Sequence, residues 1–409
     1  MRNGTHYLPR PTPTSSLPRL TTSSALVALA APWFAALALT AVACGGGAAG
    51  ALAPAVPPGA EVTSAVAPVA GDDHGAEAQR RADAATEALV DGFWSSDARA
   101  FTVTRGGAPA EYWIAAQAYD AVLDGVERSG GQRFTDVAKA FVAGQDARGW
   151  ERDFFDDESW MALALIRASD LTGDGEALAR AEALLEDIMT NGADPAGGVW
   201  WNRQHTQKAT ASNAGAVITA ARLHERTGDA RRLEFATSVF AHWLAEMVDP
   251  ATGQVADHVE PSGEKVWWRF TYNEGAMIGA ALALHRATHD VSYLEAARRI
   301  GSFMRSGETA ATASGAVLTD GPRCDGDCEE FKGIGARYLA ELAEADPQGG
   351  WGDLVATSAG ALWDLARDPA TTTFGVDWAA RSGAASVATQ SAAATALGRA
   401  ARLAANAGR

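Results

Sequence analysis

Cysteine is scarce, with three residues in 409. Cys324 and Cys328 bracket Asp325-Gly326-Asp327, close enough for a small disulfide loop in an oxidising compartment. Two thiols with no histidine near them in sequence do not make a zinc site. Basic residues are also in short supply: 34 Lys and Arg face 50 Asp and Glu, a net charge of −16. That balance excludes nucleic acid and anionic membrane as main partners and leaves neutral ligands open. Strand-type alternation is almost missing. So are a glycine-rich phosphate loop, a histidine-rich metal cluster and a Gly-x-Ser-x-Gly elbow, and no metal or other cofactor is expected.

The N-terminal region does not read as folded. Arg2, Arg10 and Arg19, with no acid among them, precede an uncharged apolar run from Ala25 to Ala43 that ends in Ala41-Val42-Ala43-Cys44. This predicts a signal peptide over 1–43, with Pro32 and the high alanine content distinguishing it from a membrane span. Cys44, followed by Gly45-Gly46-Gly47, resembles a bacterial lipoprotein cleavage site, although Ala41 stands where leucine is usual. Either a lipid on Cys44 tethers the protein to a membrane surface or the protein is freely secreted. Residues 44–77 are rich in Gly, Ala and Pro and read as a linker. Residues 78–409 suffice for one large domain, expected to be a monomer.

Helical periodicity fills that domain, punctuated by a recurring turn. Gly173-Asp174, Gly228-Asp229 and His289-Asp290 each separate two apolar-periodic runs, and Gly130-Gly131 is a looser copy. Glycine can end one helix in the left-handed conformation while Asp caps the next. The pattern predicts twelve helices starting near 79, 109, 133, 157, 175, 209, 231, 272, 291, 329, 351 and 386. Long connections over 96–108, 146–156, 191–208, 248–270, 307–328 and 368–385 alternate with the tight turns. In a ring of up-down hairpins, every second connection emerges at one end. An all-α (α/α)6 toroid of six helical hairpins is the simplest such architecture, with an open helical solenoid as the alternative.

The candidate chemistry lies in Phe154-Phe155-Asp156-Asp157-Glu158-Ser159-Trp160, just before an apolar helical run. Acidic residues commonly open helices because they complement the dipole. Adjacent carboxylates at a helix start can also reach the ~5–5.5 Å separation of a retaining glycosidase's nucleophile and acid/base. Thirteen tryptophans tilt the choice toward sugar. Trp150, Trp200, Trp201, Trp267 and Trp268 fall in the long loops with Phe155 and Tyr272, and flat aromatic faces suit the C–H faces of sugars. Asn202, Lys208, Asn213, Asp257 and Asn273 supply polar anchors, with Asn213 expected to face a polar cavity. Trp160, Trp243 and Trp363 lie within predicted helices and read as core. The acidic run Asp320, Asp325, Asp327, Glu329 lacks the spacing of a calcium loop and reads as a solvated face.

These residues resemble glycoside hydrolase family 76. The resemblance rests on Asp153 to Ala164 with Asp170-Leu171-Thr172-Gly173-Asp174, Gly198-Val199-Trp200-Trp201-Asn202 with Lys208 to Asn213, Phe270 to Gly275, and Phe331-Lys332-Gly333-Ile334 with Arg337-Tyr338-Leu339. Four motifs in order span roughly residues 85 to 405. The resemblance implies an (α/α)6 barrel and internal cleavage of α-1,6-mannan with retention, Asp156 being the nucleophile and Asp157 the general acid/base. Met161, Ala209, Ala211 and Glu274 depart from the family pattern, glutamine being common at the last. They bear on subsites, not on the Asp pair. Two other readings keep the same residues: a transglycosidase that remodels surface glycan, and a lipid-tethered glycan-binding protein that cleaves nothing.

Overall fold

The computed structural model describes residues 71–321 and 326–407. The expected signal peptide, Cys44 and most of the linker lie outside the described residues, as does Cys324. Twelve α-helices make up the domain: α1 Gly71–Phe93, α2 Tyr112–Ser129, α3 Gln132–Arg148, α4 Phe155–Thr172, α5 Gly175–Asp187, α6 Thr210–Thr227, α7 Ala230–Met247, α8 Thr271–Thr288, α9 Val291–Gly307, α10 Cys328–Ala345, α11 Trp351–Ala361 and α12 Val387–Ala407. Eleven begin within three residues of the expected positions. α1 begins earlier, at Gly71, inside the stretch read as linker. Its polar first turns hide the periodicity, while Glu77 pairs with Arg80 and Arg81 on the same face and favours helix there.

The even-numbered helices form an inner ring. Each of α2, α4, α6, α8, α10 and α12 packs on the next, and α12 returns to α2. The outer helices α3, α5, α7, α9 and α11 back onto their inner partners, and α1 packs on α12. First and last helices therefore close the circle, giving an (α/α)6 toroid and not an open solenoid. Inner helices are buried all round, as α8 is from Thr271 to Leu284, which is what a central helix requires. Small residues let them approach closely: a Cβ on Gly275 of α8 would lie 2.8 Å from the Gly335 Cα of α10.

The tight turns follow the expected chemistry. Gly130, Gly173 and Gly228 adopt left-handed conformations after α2, α4 and α6. His289 does the same after α8 at φ 59°, where a side chain costs about 1 kcal/mol. Asp174, Asp229 and Asp290 then accept backbone N–H groups from the first turn of the next helix. The long connections all precede inner helices, so the inner N-termini point to one mouth. The strands, none longer than four residues, lie in these connections. One small sheet pairs His258–Val259 with Lys208–Ala209 on one side and Lys265–Val266 on the other.

Candidate active site

At the mouth, α4 starts with its side chains divided by the helical turn. Phe155 is fully buried, while Asp156 and Asp157, one and two steps of ~100° further round, reach solvent. The approach to this turn is held by the neighbouring long loop. Phe155 N–H donates to the Trp201 carbonyl at 2.9 Å, and Arg203 N–H to the Asp153 carbonyl at 2.9 Å. Glu158, on the buried side, accepts from the Arg152 N–H at 2.7 Å and from Arg203 Nη2 at 2.8 Å. Arg203 also pairs with Asp187 and stacks 5.2 Å over the Phe155 ring. Glu158 and Arg203 therefore lock the segment that presents the two aspartates.

The two carboxyl groups differ in support. Asp156 Oδ2 accepts from Trp201 Nε1 at 3.1 Å, while its buried Oδ1 has no hydrogen-bond partner. Burial pushes Asp156 up to about 7, against the pull of the Trp201 N–H and of the backbone N–H groups of Asp156 and Asp157. Asp157 is raised well above the carboxylate range, first by burial, then by Asp156 and by Asp327 and Glu111, with Arg152 pulling the other way. Asp327, at the cap of α10 across the ring, raises both. Such a pair ionises first at Asp156, which has an N–H donor, and keeps its proton longer on Asp157.

A second polar cluster sits between α6 and α8. Asp257 Oδ2 accepts from the Tyr272 hydroxyl at 2.7 Å and Asn273 Nδ2 at 3.2 Å, and Oδ1 meets His258 Nδ1 at 2.7 Å. An aromatic arc continues from it. Tyr272 lies 4.2 Å from Phe331, Phe331 lies 5.2 Å from Phe270 and 6.3 Å from Trp113, and Phe270 lies 6.0 Å from Trp268.

Several of the residues expected to contact a ligand have structural duties. Phe155 is core, packed against Gly192. The Trp150 indole is turned to the outer layer, donating to Asp146 of α3 at 3.0 Å beneath Arg180 of α5. Asn213 does not face a polar cavity: it accepts from the Val199 N–H at 2.7 Å and donates to the Val199 and Ala209 carbonyls at 2.9 and 2.8 Å. Gly198 at φ 79° permits this approach, since a Cβ there would lie 2.8 Å from Asn213 Oδ1. Asn202 shapes its own turn through the Thr206 N–H and hydroxyl. Lys208 is neutralised by Asp194 at 2.5 Å and covers Trp200, which stacks on His205. Trp160 and Trp243 are core, but Trp363 is half-buried between Arg81 and Arg367. Trp201, Asp257, Trp268, Tyr272 and Asn273 remain around the mouth, with Trp267 exposed at its rim.

The acidic run is not one solvated face. Asp320 is buried and caps α8 by accepting from the Thr271 N–H at 2.6 Å, with Lys332 Nζ 3.5 Å away. Asp325 lies outside the described residues. Sequence reading missed Asp327 as a neighbour of the Asp pair, and Phe331, Phe270 and Trp113 as the aromatic arc. One signal was available: each lies at or just before the N-terminus of an inner helix, as the Asp pair does. Cys328 is buried at the start of α10, and its pairing with Cys324 stays an expectation.

Solved structures with this architecture include enzymes of known substrate. The GH76A α-1,6-mannanase of Salegentibacter sp. HEL1_6 is 28% identical, covering 80% of this chain and 99% of that one at a TM-score of 0.74. An inactive variant of it, with two adjacent aspartates changed to asparagine and α-1,6-mannotriose bound, is 27% identical over 80% of this chain and 99% of that one, at a TM-score of 0.73. A Listeria innocua protein is 25% identical over 80% of this chain and 97% of that one, also at 0.73. No curated protein sequence matches. The model of glycosyl hydrolase family 76 matches residues 77–407, from within α1 to the end of α12. The chain is a glycoside hydrolase belonging to family 76.

Proposed function

We propose that this enzyme cleaves α-1,6-linked mannan internally with retention, Asp156 acting as nucleophile and Asp157 as general acid/base. The observation that carries the assignment is the Trp201 N–H donated to Asp156, which favours ionisation there and leaves the shared proton with Asp157. In the first step the Asp156 carboxylate attacks the anomeric carbon as the glycosidic bond breaks. Asp157 passes its proton to the leaving oxygen. In the second step Asp157 removes a proton from water, whose oxygen displaces Asp156, and two inversions give net retention. The inactive Asp-to-Asn relative with bound α-1,6-mannotriose supports both the site and the linkage.

Export, with Cys44 lipidated or the signal peptide simply removed, belongs to the same reading and rests on the sequence of residues 1–44. The test is product analysis on linear α-1,6-mannan, with Asp156→Asn and Asp157→Asn beside the wild type. Short oligosaccharides of retained configuration from the wild type, and a loss of at least about a thousandfold in either variant, are expected. Polymer bound but not cut, even with an added sugar acceptor, would replace this reading with a tethered glycan binder. Product lengthening with acceptor would make the enzyme a transglycosidase.

A further inference from the structure

His258 occupies the middle strand of the small mouth sheet and is only 1% exposed. Both ring nitrogens face carboxylates: Nδ1 lies 2.7 Å from Asp257 Oδ1, and Nε2 lies 3.1 Å from Glu260 Oε1. A neutral imidazole has a single N–H and satisfies one of these partners, whereas the imidazolium satisfies both. The ring edge also meets the Trp268 indole at 5.2 Å and 67°. One buried side chain thus touches a carboxylate and an aromatic group of the mouth.

We propose that His258, clamped between Asp257 and Glu260, is a positioning residue that fixes the Asp257 carboxylate and the Trp268 indole, and so governs how tightly the glycan chain is held rather than how fast its bond is cut. The inference rests on the mannanase reading for its substrate. Asp257 is anchored from the other side by Tyr272 and Asn273 of α8, so losing His258 frees one of its two oxygens. Burial pulls the imidazole pKa down, but Asp257 and Glu260 outweigh it and the net shift is upward. The other charged groups facing this strand are committed elsewhere. Lys208 pairs with Asp194 and Lys265 with Glu246, while Glu274 of α8 holds the Val255 N–H at 2.8 Å.

The experiment compares wild type, His258→Phe and His258→Asn. Phenylalanine keeps a ring against Trp268 and loses both polar contacts. Asparagine can restore an N–H toward Asp257. For His258→Phe, KM on linear α-1,6-mannan rises about tenfold with kcat within about twofold, and His258→Asn recovers most of the loss. The wild-type KM rises as pH passes through the raised imidazole range, and the His258→Phe profile is flat there. Unchanged KM in His258→Phe, a fall in kcat alone, or no recovery in a His258→Asn protein that melts like wild type would each overturn the proposal. Nitrogen chemical shifts of the imidazole in the free protein give a substrate-independent check: both nitrogens protonated at pH 7 support the clamp, and a single-proton tautomer refutes it. If the wild type cuts no mannan, the mannanase reading fails, while the nitrogen shifts still judge the clamp.

Discussion

The two ends of the ring treat their carboxylates in opposite ways. At the mouth, Asp156 and Asp157 sit on a helix N-terminus, whose dipole favours anions. Their pKa values are raised all the same, because burial outweighs the dipole and, at Asp157, the pull of Arg152. At the base, the inner helices end in a cavity of 370 Å³ lined by Arg167, Arg222, Arg286, Arg337, Arg399 and Arg402. There Asp120 meets Arg167 at 3.0 Å and Arg337 at 2.9 Å, and Glu341 meets Arg222 at 2.8 Å. Burial would raise both carboxyls, yet the guanidinium groups hold Asp120 well below the usual range and bring Glu341 down to about 2. Helix C-termini attract the cations, and the cations settle the acids. One scaffold thus surrounds its base acids with guanidinium groups and, among the described residues, gives Asp156 and Asp157 no ion pair, an environment of the kind found at functional sites.

The largest effect on stability is expected at the base. Arg337 donates to Gln117 at 2.7 Å and forms an ion pair with Asp120 whose hydrogen-bond alignment is poor. Arg337→Met leaves that buried acid with Arg167 and Arg399 only, and is expected to destabilise by about 3 kcal/mol at pH 7. Asp120 has a depressed folded pKa, so its contribution is present above the ordinary carboxylate range and is lost as pH falls through the folded value. Denaturant melts should therefore show a deficit at neutral pH that narrows in acid, with kcat per folded molecule unchanged. A kcat loss as large as that of the Asp-pair variants would show that the two ends are not independent.

A smaller effect is expected at the mouth. Trp201→Phe keeps the ring against Phe154, 4.7 Å away, and removes the N–H that favours the Asp156 anion. Asp156 then ionises at higher pH, so the acid limb of kcat/KM, expected near 7 in the wild type, moves upward. Activity should fall about tenfold below pH 6 and much less above pH 8. A uniform loss at all pH values would assign Trp201 to substrate packing instead.

The contrast also explains what the sequence could reveal. Helix positions, Gly-Asp turns and the alternation of short and long connections depend on residues close in sequence, so twelve helices and their pairing were readable. The Asp pair was readable as a candidate because both members share one turn. Partners brought together by ring closure were not. Asp327 reaches the Asp pair because α10 stands opposite α4, and Arg337 reaches Asp120 because α10 and α2 share the base cavity. Nor could side-chain direction be read locally. Phe155 and Asp156 are neighbours with opposite fates, and Asn213 turns its amide to the Val199 backbone because Gly198 lets the loop approach that closely.

The smallest effect tests whether uncompensated acids near the mouth carry a stability cost. Glu274 is fully buried on α8; its Oε1 accepts from the Val255 N–H at 2.8 Å and its Oε2 has no other partner than the neighbouring Glu308 carboxyl. Burial pushes Glu274 up to about 8, and burial together with Glu274 raises Glu308 further. An acid with a raised folded pKa holds a proton that the unfolded chain releases. Stability is then full below the unfolded value near 4.5 and declines as pH climbs toward about 8. Glu274→Gln keeps an acceptor for Val255 and offers Glu308 an N–H in place of the shared proton. The variant should match wild type at pH 4 and exceed it by about 1 kcal/mol at pH 8. The pH dependence thus takes the opposite sign to that of Arg337→Met, whose deficit is largest where Asp120 is ionised. Melting curves should show the Glu274→Gln gain opening between pH 4 and 8, and the Arg337→Met deficit holding over that range and closing only in stronger acid, toward the low folded value of Asp120. A pH-independent gain in Glu274→Gln would mean that packing, not an unshared charge, sets the cost at the mouth.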